Sequence, residues 1–554
     1  MKQQNTHYLY LLFLISFSFN ISAQDYTLKI NSKKEKEIDV LEKIEYTQKH
    51  LDSISIKTEL SKISNYLKKI GYFTNTIDSL NKNKNTYTAY FSLNKKISNA
   101  TIKTSPTSLL EFKGLKINDN QFNIPIEKLE STLTQFSKEL DNKGLSFSKV
   151  QLKNIELKND TLFANLTIHQ SKKRKINRII LKGYEEFPKS FIKHYLKIKK
   201  GDLFSQKKIN NTSNILQNLN FVKEIKPPEV LFTTDSTLIY IYLKKLQNNS
   251  FDGLINFTTK ENGGVLFTGH LDLKLNNILN SGESFNLYWN SIGDERQEFN
   301  ISTKIPYIFN TIISPEIAFS IYKQDSTFLN TKFDLKLTHN LSTKLKLGAT
   351  YNSESSENLK EHLNNNIKTY KNYFLGLILL YNIPKNDFFY NDKFNISINP
   401  AFGKRKAENL NSTQFKITAT TSYLWDLNSR SSFFIKNNTG YLNSDDILEN
   451  ELFRIGGSNT IRGFNEQSIF TNNFTYFNLE YRYLTSSQSY LYTITDFGRV
   501  KTNLDSRNLI GLGIGYLFTT NNSQINLNLV TGKSSSQDFI PKESKLSISW
   551  KSFF

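Results

Sequence analysis

The stretch ELFRIGGSNTIRGF, residues 451–464, places Arg462 between glycines just ahead of a run of alternating apolar and polar residues. Taken alone, the triplet of Arg462, Gly463 and Phe464 is typical of a surface turn that carries one charge. The sequence on either side of Ile461–Phe464 therefore decides whether it is such a turn or a functional loop.

Directly after this loop, the side chains follow the period of two that places neighbouring residues on opposite faces of a β-strand. One face is apolar and the other polar, as in a strand with lipid on one side and a wet lumen on the other. The apolar face consists of Phe477, Leu479, Tyr481 and Tyr483, and the polar face of Asn478, Glu480 and Arg482. The pattern predicts a transmembrane β-barrel.

Two later segments continue the alternation. In residues 510–518, glycine occupies positions 511, 513 and 515 of the inward face, which leaves room for something bulky inside the barrel. The last segment alternates up to the C-terminus, with Trp550 and the terminal Phe554 on the lipid-side register. A terminal aromatic residue in this register resembles the C-terminal assembly signal of outer-membrane barrels.

Composition agrees with a barrel and excludes several other classes. The 554 residues include 42 Phe and 28 Tyr, yet the mean hydropathy is only −0.45, because lipid-facing residues alternate with lumen-facing ones. After the N-terminus no segment offers about 18 consecutive apolar residues, which excludes a transmembrane helix from the mature chain. The absence of cysteine excludes disulfides, thiolate catalysis and cysteine-ligated metals.

The N-terminus and the net charge predict the compartment. Residues 1–23 have the features of a secretory signal peptide, with Lys2 ahead of an apolar stretch and Ala23 at the end of a plausible cleavage site. The net charge is +21, which could favour nucleic-acid binding, but no nucleic-acid recognition motif accompanies it. An exported protein is also separated from the nucleic acids of the cell. We expect an outer-membrane protein of a Gram-negative bacterium, with its N-terminal domains in the periplasm and no nucleic-acid partner.

Three small α+β domains are predicted ahead of the barrel, at a spacing of about 75 residues. The clearest is 173–246, which has a strand, two helices and two strands in order, and fainter copies occupy 24–96 and 97–172. Residues 250–554 then accommodate an all-β antiparallel transmembrane barrel of roughly sixteen strands. Ser353–Asn366 is expected to be a loop, and the strand boundaries between 351 and 420 are left open.

With its flanking sequence, the motif Ile461–Phe464 resembles the arginine-glycine-aromatic loop of POTRA-bearing outer-membrane barrels, the BamA/TamA-like superfamily also called the bacterial surface antigen family. Residues 173–246 are similar to a POTRA domain, and the segments 251–254 and 275–283 resemble the opening of the family's barrel. The resemblance covers nearly the whole mature chain and implies sixteen strands. Three POTRA domains are the arrangement of the TamA branch, which is therefore the nearest.

The resemblance also implies partners for the loop arginine. In the family the matching acids receive this arginine, and here they are Glu480, on an inward strand face, and Asp496. An isolated buried charge is costly, so a loop that folds into the lumen needs such carboxylates, and bidentate pairing would fix it there. The alternative is that Arg462 lies on an exposed loop and the two acids are ordinary lumen residues.

No catalytic, metal-binding or cofactor-binding site is predicted. The seven histidines show no HExxH or other ligand spacing, and no Gly-x-Ser-x-Gly or Walker sequence occurs. An enzyme such as a lipase-type barrel would need a nucleophile and a base, and the sequence offers no convincing pair. The chain is therefore expected not to be an enzyme and to need no cofactor.

The predicted function is the assembly of outer-membrane proteins. Exposed sheet edges of POTRA domains can bind unfolded clients by strand addition. A weak seam between the first barrel strand, near Gly253, and the last, near Trp550 and Phe554, would open sideways and admit client strands to the bilayer. The expected partners are unfolded outer-membrane proteins, outer-membrane lipid and an accessory protein in the periplasm or inner membrane.

Two alternatives stay open. One is a pore that translocates a polypeptide or a lipid through the lumen, although two-partner secretion pores usually carry two POTRA domains rather than three. The other is a structural barrel that tethers periplasmic partners.

Overall fold

The computed structural model describes residues 26–104, 120–246, 248–259, 265–292, 296–360, 366–385, 389, 392–408, 411–501, 506–535 and 539–554. The predicted signal segment 1–23 lies outside these residues. The described chain forms two compact units. One holds the residues up to Lys175 together with Leu203–Lys207, and the other holds Ile176–Asp202 and Lys208–Phe554.

The first unit begins with a four-stranded sheet of order β2-β1-β4-β3. Its elements are β1 Tyr26–Asn31, α1 Glu35–Leu41, β2 Lys49–His50, α2 Ser53–Lys69, β3 Thr76–Asn83 and β4 Thr86–Ser92. Asp52 caps α2 by accepting the N–H of Ser55 at 2.7 Å. The buried face of α2 carries Ile56, Leu60, Ile63 and Leu67, at the three-to-four-residue spacing of an amphipathic helix.

A second four-stranded sheet follows in the same unit, in the order β6-β5-β8-β7. Its elements are β5 Asn99–Lys103, β6 Gln121–Pro125, α3 Leu129–Asn142, β7 Lys149–Lys158 and β8 Thr161–His169. Phe122 of the sheet and Phe136 of α3 meet edge to face at 6.1 Å in its core.

The other unit starts with a three-stranded sheet of order β10-β11-β9, in which β9 and β11 are parallel. Its elements are β9 Arg178–Lys182, α4 Lys189–His194, α5 Gln206–Leu216, β10 Val222–Phe232 and β11 Thr237–Lys245, in the strand-helix-helix-strand-strand order that the sequence predicts. Phe187 packs against Phe191 and Phe221 in the core. Among the described residues, no helix is both long and apolar enough to cross a bilayer.

Sixteen strands of the described chain close into an antiparallel barrel, which confirms the predicted fold class. They pair in chain order, except that β23 Phe453–Ile455 and β24 Ile469–Thr471 form a separate hairpin between β22 and β25. The barrel strands are β12 Ser250–Thr259, β13 Val265–Asn276, β14 Ser284–Ile292, β15 Arg296–Lys304, β16 Ile313–Gln324, β17 Phe328–Asn340, β18 Leu345–Asn358, β19 Tyr370–Pro384, β20 Asp392–Lys406, β21 Ser412–Asp426, β22 Ser431–Ser444, β25 Asn473–Ser486, β26 Ser489–Lys501, β27 Ser506–Thr519, β28 Ser523–Ser534 and β29 Lys545–Phe553.

The two faces of the strands differ as the alternation predicts. Along β26, Tyr492, Ile494 and Asp496 are buried towards the lumen, while Leu491 and Phe497, at alternate positions, are exposed on the outside. Exposed apolar side chains of this kind cover the outer face of the barrel, where lipid is the solvent.

The expectation of a loop from Ser353 is wrong at its start, because β18 continues to Asn358. Residues 353–358 pair with β17, and the inward Ser356 donates a hydrogen bond to Oδ1 of Asn330 at 2.6 Å. Both faces of this segment are polar, so the alternation that marks the other strands disappears although the pairing continues.

The barrel has two distinct ends. We call the end where β12 begins, after the third α+β domain, the proximal end. It carries the turns 277–283, 305–312 and 341–344, which connect β13 to β14, β15 to β16 and β17 to β18. The segment 445–472 between β22 and β25 leaves from the opposite, distal end.

Candidate functional site: a loop held inside the barrel

The segment 445–472 carries the sequence motif and packs against the inner wall of the barrel. It turns at Gly456 and Gly457, whose φ angles of 106° and 102° suit glycine. The N–H of Gly457 donates to the carbonyl of Ile461 at 3.1 Å, which closes a tight turn. Ile461 is fully buried in a cluster with strand residues of the lumen, including Phe474 and Tyr476.

Arg462 contacts both acids that the sequence analysis singled out. Its Nη2 and Nε donate to Oδ1 and Oδ2 of Asp496 at 2.6 and 2.9 Å, and its backbone N–H donates to Oδ2 at 2.8 Å. Its Nη1 donates to Oε1 of Glu480 at 2.5 Å. We call these three residues the central latch. All are buried, so each charge depends on the others for compensation.

A second arginine, which the sequence analysis did not select, binds Glu480 of the central latch. Arg482 donates from Nε to Oε2 of Glu480 at 2.8 Å, so Glu480 bridges two guanidinium groups. The Arg482 guanidinium also lies 4.1 Å from the ring centre of Phe434. Two arginines therefore face two carboxylates. The signal was present in the sequence, because Arg482 follows Glu480 by two residues on the same strand face.

Glycines of the barrel wall make room for the loop, as the bare inward face of β27 suggested. A Cβ on Gly511 would lie 2.2 Å from the carbonyl oxygen of Arg462. A Cβ on Gly532 of β28 would lie 2.5 Å from the carbonyl oxygen of Gly463, whose own φ is 91°. The loop backbone therefore lies directly on the strands, closer than any side chain would permit.

The loop also reaches the opposite wall. Arg296 of β15 donates from Nη1 to the carbonyl of Glu466 at 2.5 Å, and Gln467 donates to Glu298 at 2.7 Å. The guanidinium of Arg454 stacks over the ring of Tyr322 at 3.7 Å. With the central latch on β25 and β26, these contacts extend the loop across the lumen.

A second buried ion pair, also missed by sequence reasoning, holds the loop at the distal end. Arg405 of β20 donates from Nη1 to Oε1 of Glu451 at 2.5 Å, and the two side chains are 0% and 1% exposed. Gln414 donates to the other oxygen of Glu451 at 2.9 Å. We call Arg405 and Glu451 the distal latch. Glu451 opens the quoted stretch, but nothing local connects it to a residue 46 positions earlier.

Asn450, beside Glu451, ties the distal latch to three further strands. Its carbonyl accepts from Nδ2 of Asn330 at 2.7 Å and from the Tyr370 hydroxyl at 3.2 Å, and its Nδ2 donates to Ser356 at 2.6 Å. The loop is therefore hydrogen-bonded to β17, β18, β19, β20 and β21 around the distal mouth.

The seam residues lie where the first and last strands meet. Among the described residues, β12 and β29 pair only through Ser250 with Phe553 and Phe251 with Ser552. The two neighbouring strand pairs, β12 with β13 and β28 with β29, have ten and eight residue pairs. Gly253 and Trp550 lie just beyond the paired end, and the N–H of Phe554 donates to the carbonyl of Asn249 at 3.0 Å.

The structure brings Arg462, Glu480 and Asp496 together in one cluster. It places Gly253 and Trp550 on the two strands of the seam, with Phe554 directly after the second. Across the described ranges, no three His, Asp or Glu side chains are arranged to hold a metal ion.

Two family models match the chain in sequence. Residues 174–245 match "Surface antigen variable number repeat", the POTRA domain, and residues 316–518 match "Haemolysin secretion/activation protein ShlB/FhaC/HecB". The first match coincides with the third α+β domain, and the second covers β16 to β27 with the lumen loop. The chain is a POTRA-bearing outer-membrane β-barrel protein. Its barrel therefore lies in the outer membrane, and its proximal end and POTRA domains face the periplasm.

Two solved structures share this fold at TM-scores above 0.5, and a third matches with a lower score. CdiB from Acinetobacter baumannii is 15% identical, with a TM-score of 0.53 over 83% of this chain and 90% of that one. CdiB from Escherichia coli is 14% identical, with a TM-score of 0.51 over 90% and 98%. BamA from Haemophilus ducreyi lacking POTRA domains 1–3 is 14% identical, with a TM-score of 0.45 over 77% and 93%. A comparison with curated protein sequences finds no significant match.

Proposed function

We propose that this protein inserts unfolded outer-membrane proteins into the outer membrane of a Gram-negative bacterium, through a lateral opening between β12 and β29. The observation that carries the proposal is the two-residue pairing of these strands. Each backbone pair lost at a seam leaves unsatisfied hydrogen-bonding groups, which are costly in lipid unless another strand satisfies them. A client strand can supply those groups.

The pairs that do form, Ser250 with Phe553 and Phe251 with Ser552, lie at the periplasmic end. The rest of β12 is free to pair with a strand that enters from the side. The driving force is the client's own burial of apolar strand faces in lipid, so neither a cofactor nor an enzymatic step is required.

The POTRA domains supply a capture surface in the periplasm. Strands β3, β7 and β10 each lie at a sheet edge. The longer two have eleven and ten residues, and an extended client can add to such an edge through main-chain hydrogen bonds with little demand on its sequence. The proposed partners are unfolded outer-membrane proteins and an accessory protein of the periplasm or inner membrane. The proposal of the TamA branch as the nearest rests on the expected number of three POTRA-like domains.

A disulfide across the seam tests the proposal, because the chain contains no cysteine. Phe251→Cys with Ser552→Cys joins two residues that are paired across the seam. Gly253→Cys with Trp550→Cys joins the positions two residues further along the same strand faces, beyond the last pair. Outer-membrane protein assembly and envelope integrity are measured with each bond formed and then reduced. We expect assembly to stop when the bond at 253 and 550 forms and to recover on reduction.

Ile317→Cys with Leu335→Cys is the matched control, because these residues face each other on β16 and β17 in a continuous part of the barrel. Its bond is expected to leave assembly unchanged. Full assembly with a verified bond at 253 and 550 would contradict lateral insertion.

A second candidate is a pore that passes a polypeptide or lipid through the lumen, and the match to the haemolysin secretion/activation family over residues 316–518 favours it. Such a pore requires the loop 445–472 to leave the lumen, whereas lateral insertion does not. The two functions differ in planar bilayers: a pore predicts large conductance steps in the unmodified protein that persist when the seam is locked.

A further inference from the structure

The periplasmic turn 305–312 joins the third POTRA domain to the barrel. Tyr307 in this turn is buried, and its ring meets Phe191 of α4 edge to face at 5.1 Å. The ring of His194 stacks on that of Tyr307 with the ring centres 5.4 Å apart, and its Nε2 contacts the carbonyl of Asn310 at 2.8 Å. Asn340 donates to the Tyr307 hydroxyl at 2.5 Å. The turn is thus held by α4 and by the barrel.

The same turn exposes a second aromatic side chain, that of Phe309. Tyr307 and Phe309 both adopt left-handed backbone conformations, with φ of 55° and 49°. Bulky residues rarely do so, and such a conformation persists only where the surroundings impose it. The packing of Tyr307 supplies that constraint. Phe309 packs against nothing comparable and is 90% exposed, the highest value among the exposed large apolar residues described.

Neighbouring turns present apolar residues in the same way. Leu279 in turn 277–283 is 78% exposed, and Leu341 in turn 341–344 is 46% exposed. Ile313 and Leu337, on the lipid-facing rows of β16 and β17, lead to the turns 305–312 and 341–344, and the paired Leu275 and Phe285 flank the turn 277–283. The exposed turn residues therefore continue the apolar belt of the barrel beyond the ends of its strands.

Basic residues of α4 and its extension lie beside these turns. Lys189, Lys193 and Lys197 recur every four residues, and all three are exposed. Lys197 donates from Nζ to the carbonyl of Leu341 at 3.3 Å, so this row reaches the third turn. In the part of the chain that the structure describes, none of the three has a carboxylate within ion-pair distance.

We propose that Leu279 and Phe309 insert into the periplasmic leaflet of the outer membrane, while Lys189, Lys193 and Lys197 bind the phosphate groups of its anionic phospholipids. Two observations favour lipid over a protein occupant. The apolar turn residues are continuous with the lipid-facing belt, and lysines without a described carboxylate partner complement the negative surface of a bilayer. Because Tyr307 connects the same turn to α4, the membrane also fixes the orientation of the third POTRA domain. The proposal does not depend on whether the protein inserts or translocates clients.

A nitroxide label on a single introduced cysteine tests the insertion of Phe309 in the full chain, which is otherwise free of cysteine. Three variants are reconstituted in vesicles of phosphatidylcholine and phosphatidylglycerol: Phe309→Cys, Leu377→Cys on the outer face of β19, and Asp235→Cys in the β10–β11 turn. Collision rates with oxygen, which concentrates in lipid, and with a water-soluble nickel chelate are measured for each. We expect the label at 309 to resemble the one at 377 in favouring oxygen, and the label at 235 to favour the chelate.

A label at 309 that favours the chelate as strongly as the label at 235 would overturn the proposal. Such a result would mean that Phe309 faces water or a protein partner instead of lipid. The lysines are tested in the labelled Phe309→Cys chain. Lys193→Gln with Lys197→Gln should reduce the oxygen preference in vesicles with phosphatidylglycerol, and Lys223→Gln with Lys244→Gln should not. Equal values for the two double variants would overturn the role of the lysines.

Discussion

Asp496 binds Arg462 through three hydrogen bonds, two from the guanidinium group and one from the backbone N–H. One buried carboxylate therefore fixes both the side chain and the main chain of the loop. The backbone hydrogen bond requires the loop main chain to lie beside Asp496, and the guanidinium bonds require the arginine side chain. Together they specify one position of the loop in the lumen.

Replacing Arg462 is expected to destabilise the barrel strongly. Arg462→Ala removes both guanidinium hydrogen bonds to Asp496 and leaves Glu480 with Arg482 as its only cationic partner described. Breaking a buried ion pair in this way costs about 3–5 kcal/mol of stability. The temperature at which the folded barrel unfolds in detergent measures the effect. Lys274→Ala is the matched control, since Lys274 pairs with Asp272 in the lumen at 2.8 Å but is 41% exposed, where a pair contributes about 0–1 kcal/mol. An equal decrease in the unfolding temperature for the two variants would show that the central latch contributes no more stability than an exposed ion pair.

Gly511→Ala is expected to displace the loop without removing a charge. Its Cβ would lie 2.2 Å from the carbonyl oxygen of Arg462, and the loop backbone cannot yield without weakening the central latch. Overpacking of this kind costs about 1–3 kcal/mol. Hydrogen exchange of residues 456–464 should accelerate. Gly348→Ala is the control, because its Cβ would lie 2.3 Å from the carbonyl oxygen of Leu337 on β17, an overpacking of the wall that involves no loop atom. The prediction fails if exchange in the loop is the same in both variants.

The distal latch is expected to act as a coupled pair. Arg405→Ala strands the buried Glu451, whereas Arg405→Ala combined with Glu451→Gln removes both charges. The double variant should be more stable than the sum of the single changes predicts, by about 0.5–3 kcal/mol. The single Arg405→Ala variant should also raise ion conductance in planar bilayers, because the loop then leaves the distal mouth. Additive losses of stability would show that the two residues do not interact.

Tyr184→Phe is expected to loosen the joint between the third POTRA domain and the barrel. The Tyr184 hydroxyl donates to Asn280 at 2.7 Å and accepts from Asn277 at 2.8 Å. Burial raises the pKa of Tyr184, so the hydroxyl keeps its proton at neutral pH. Losing it removes the acceptor of the buried Asn277 Nδ2, while Asn280 Oδ1 keeps its bond from Lys245, and costs about 1–3 kcal/mol. Faster hydrogen exchange in the turn 277–283 would report the change, and Tyr240→Phe in the same domain is expected to leave that turn unaffected.

Local periodicity was sufficient to predict the barrel. Alternation such as that of Phe477, Leu479 and Tyr481 with Asn478 and Glu480 depends only on the period of a strand, so sequence shows it directly. It failed at Ser353–Asn358, where a strand that holds the distal latch is polar on both faces. Periodicity could assign Glu480 and Arg482 to the lumen, but it could not show which lumen residues contact each other. The contact between Arg482 and Glu480 was therefore missed.

By itself, the sequence determined the order of elements and the POTRA-like domain at 173–246, because strand periodicity and short motifs are written in neighbouring residues. The number of strands followed from the length of residues 250–554 together with the family resemblance, and the acids expected to face Arg462 followed from that resemblance. Only the tertiary structure decided the partner of Glu451, the two-residue seam between β12 and β29, and the packing of Tyr307 that leaves Phe309 exposed. Each of these depends on the register between segments far apart in the chain, and register is set when the barrel closes and the loop packs inside it.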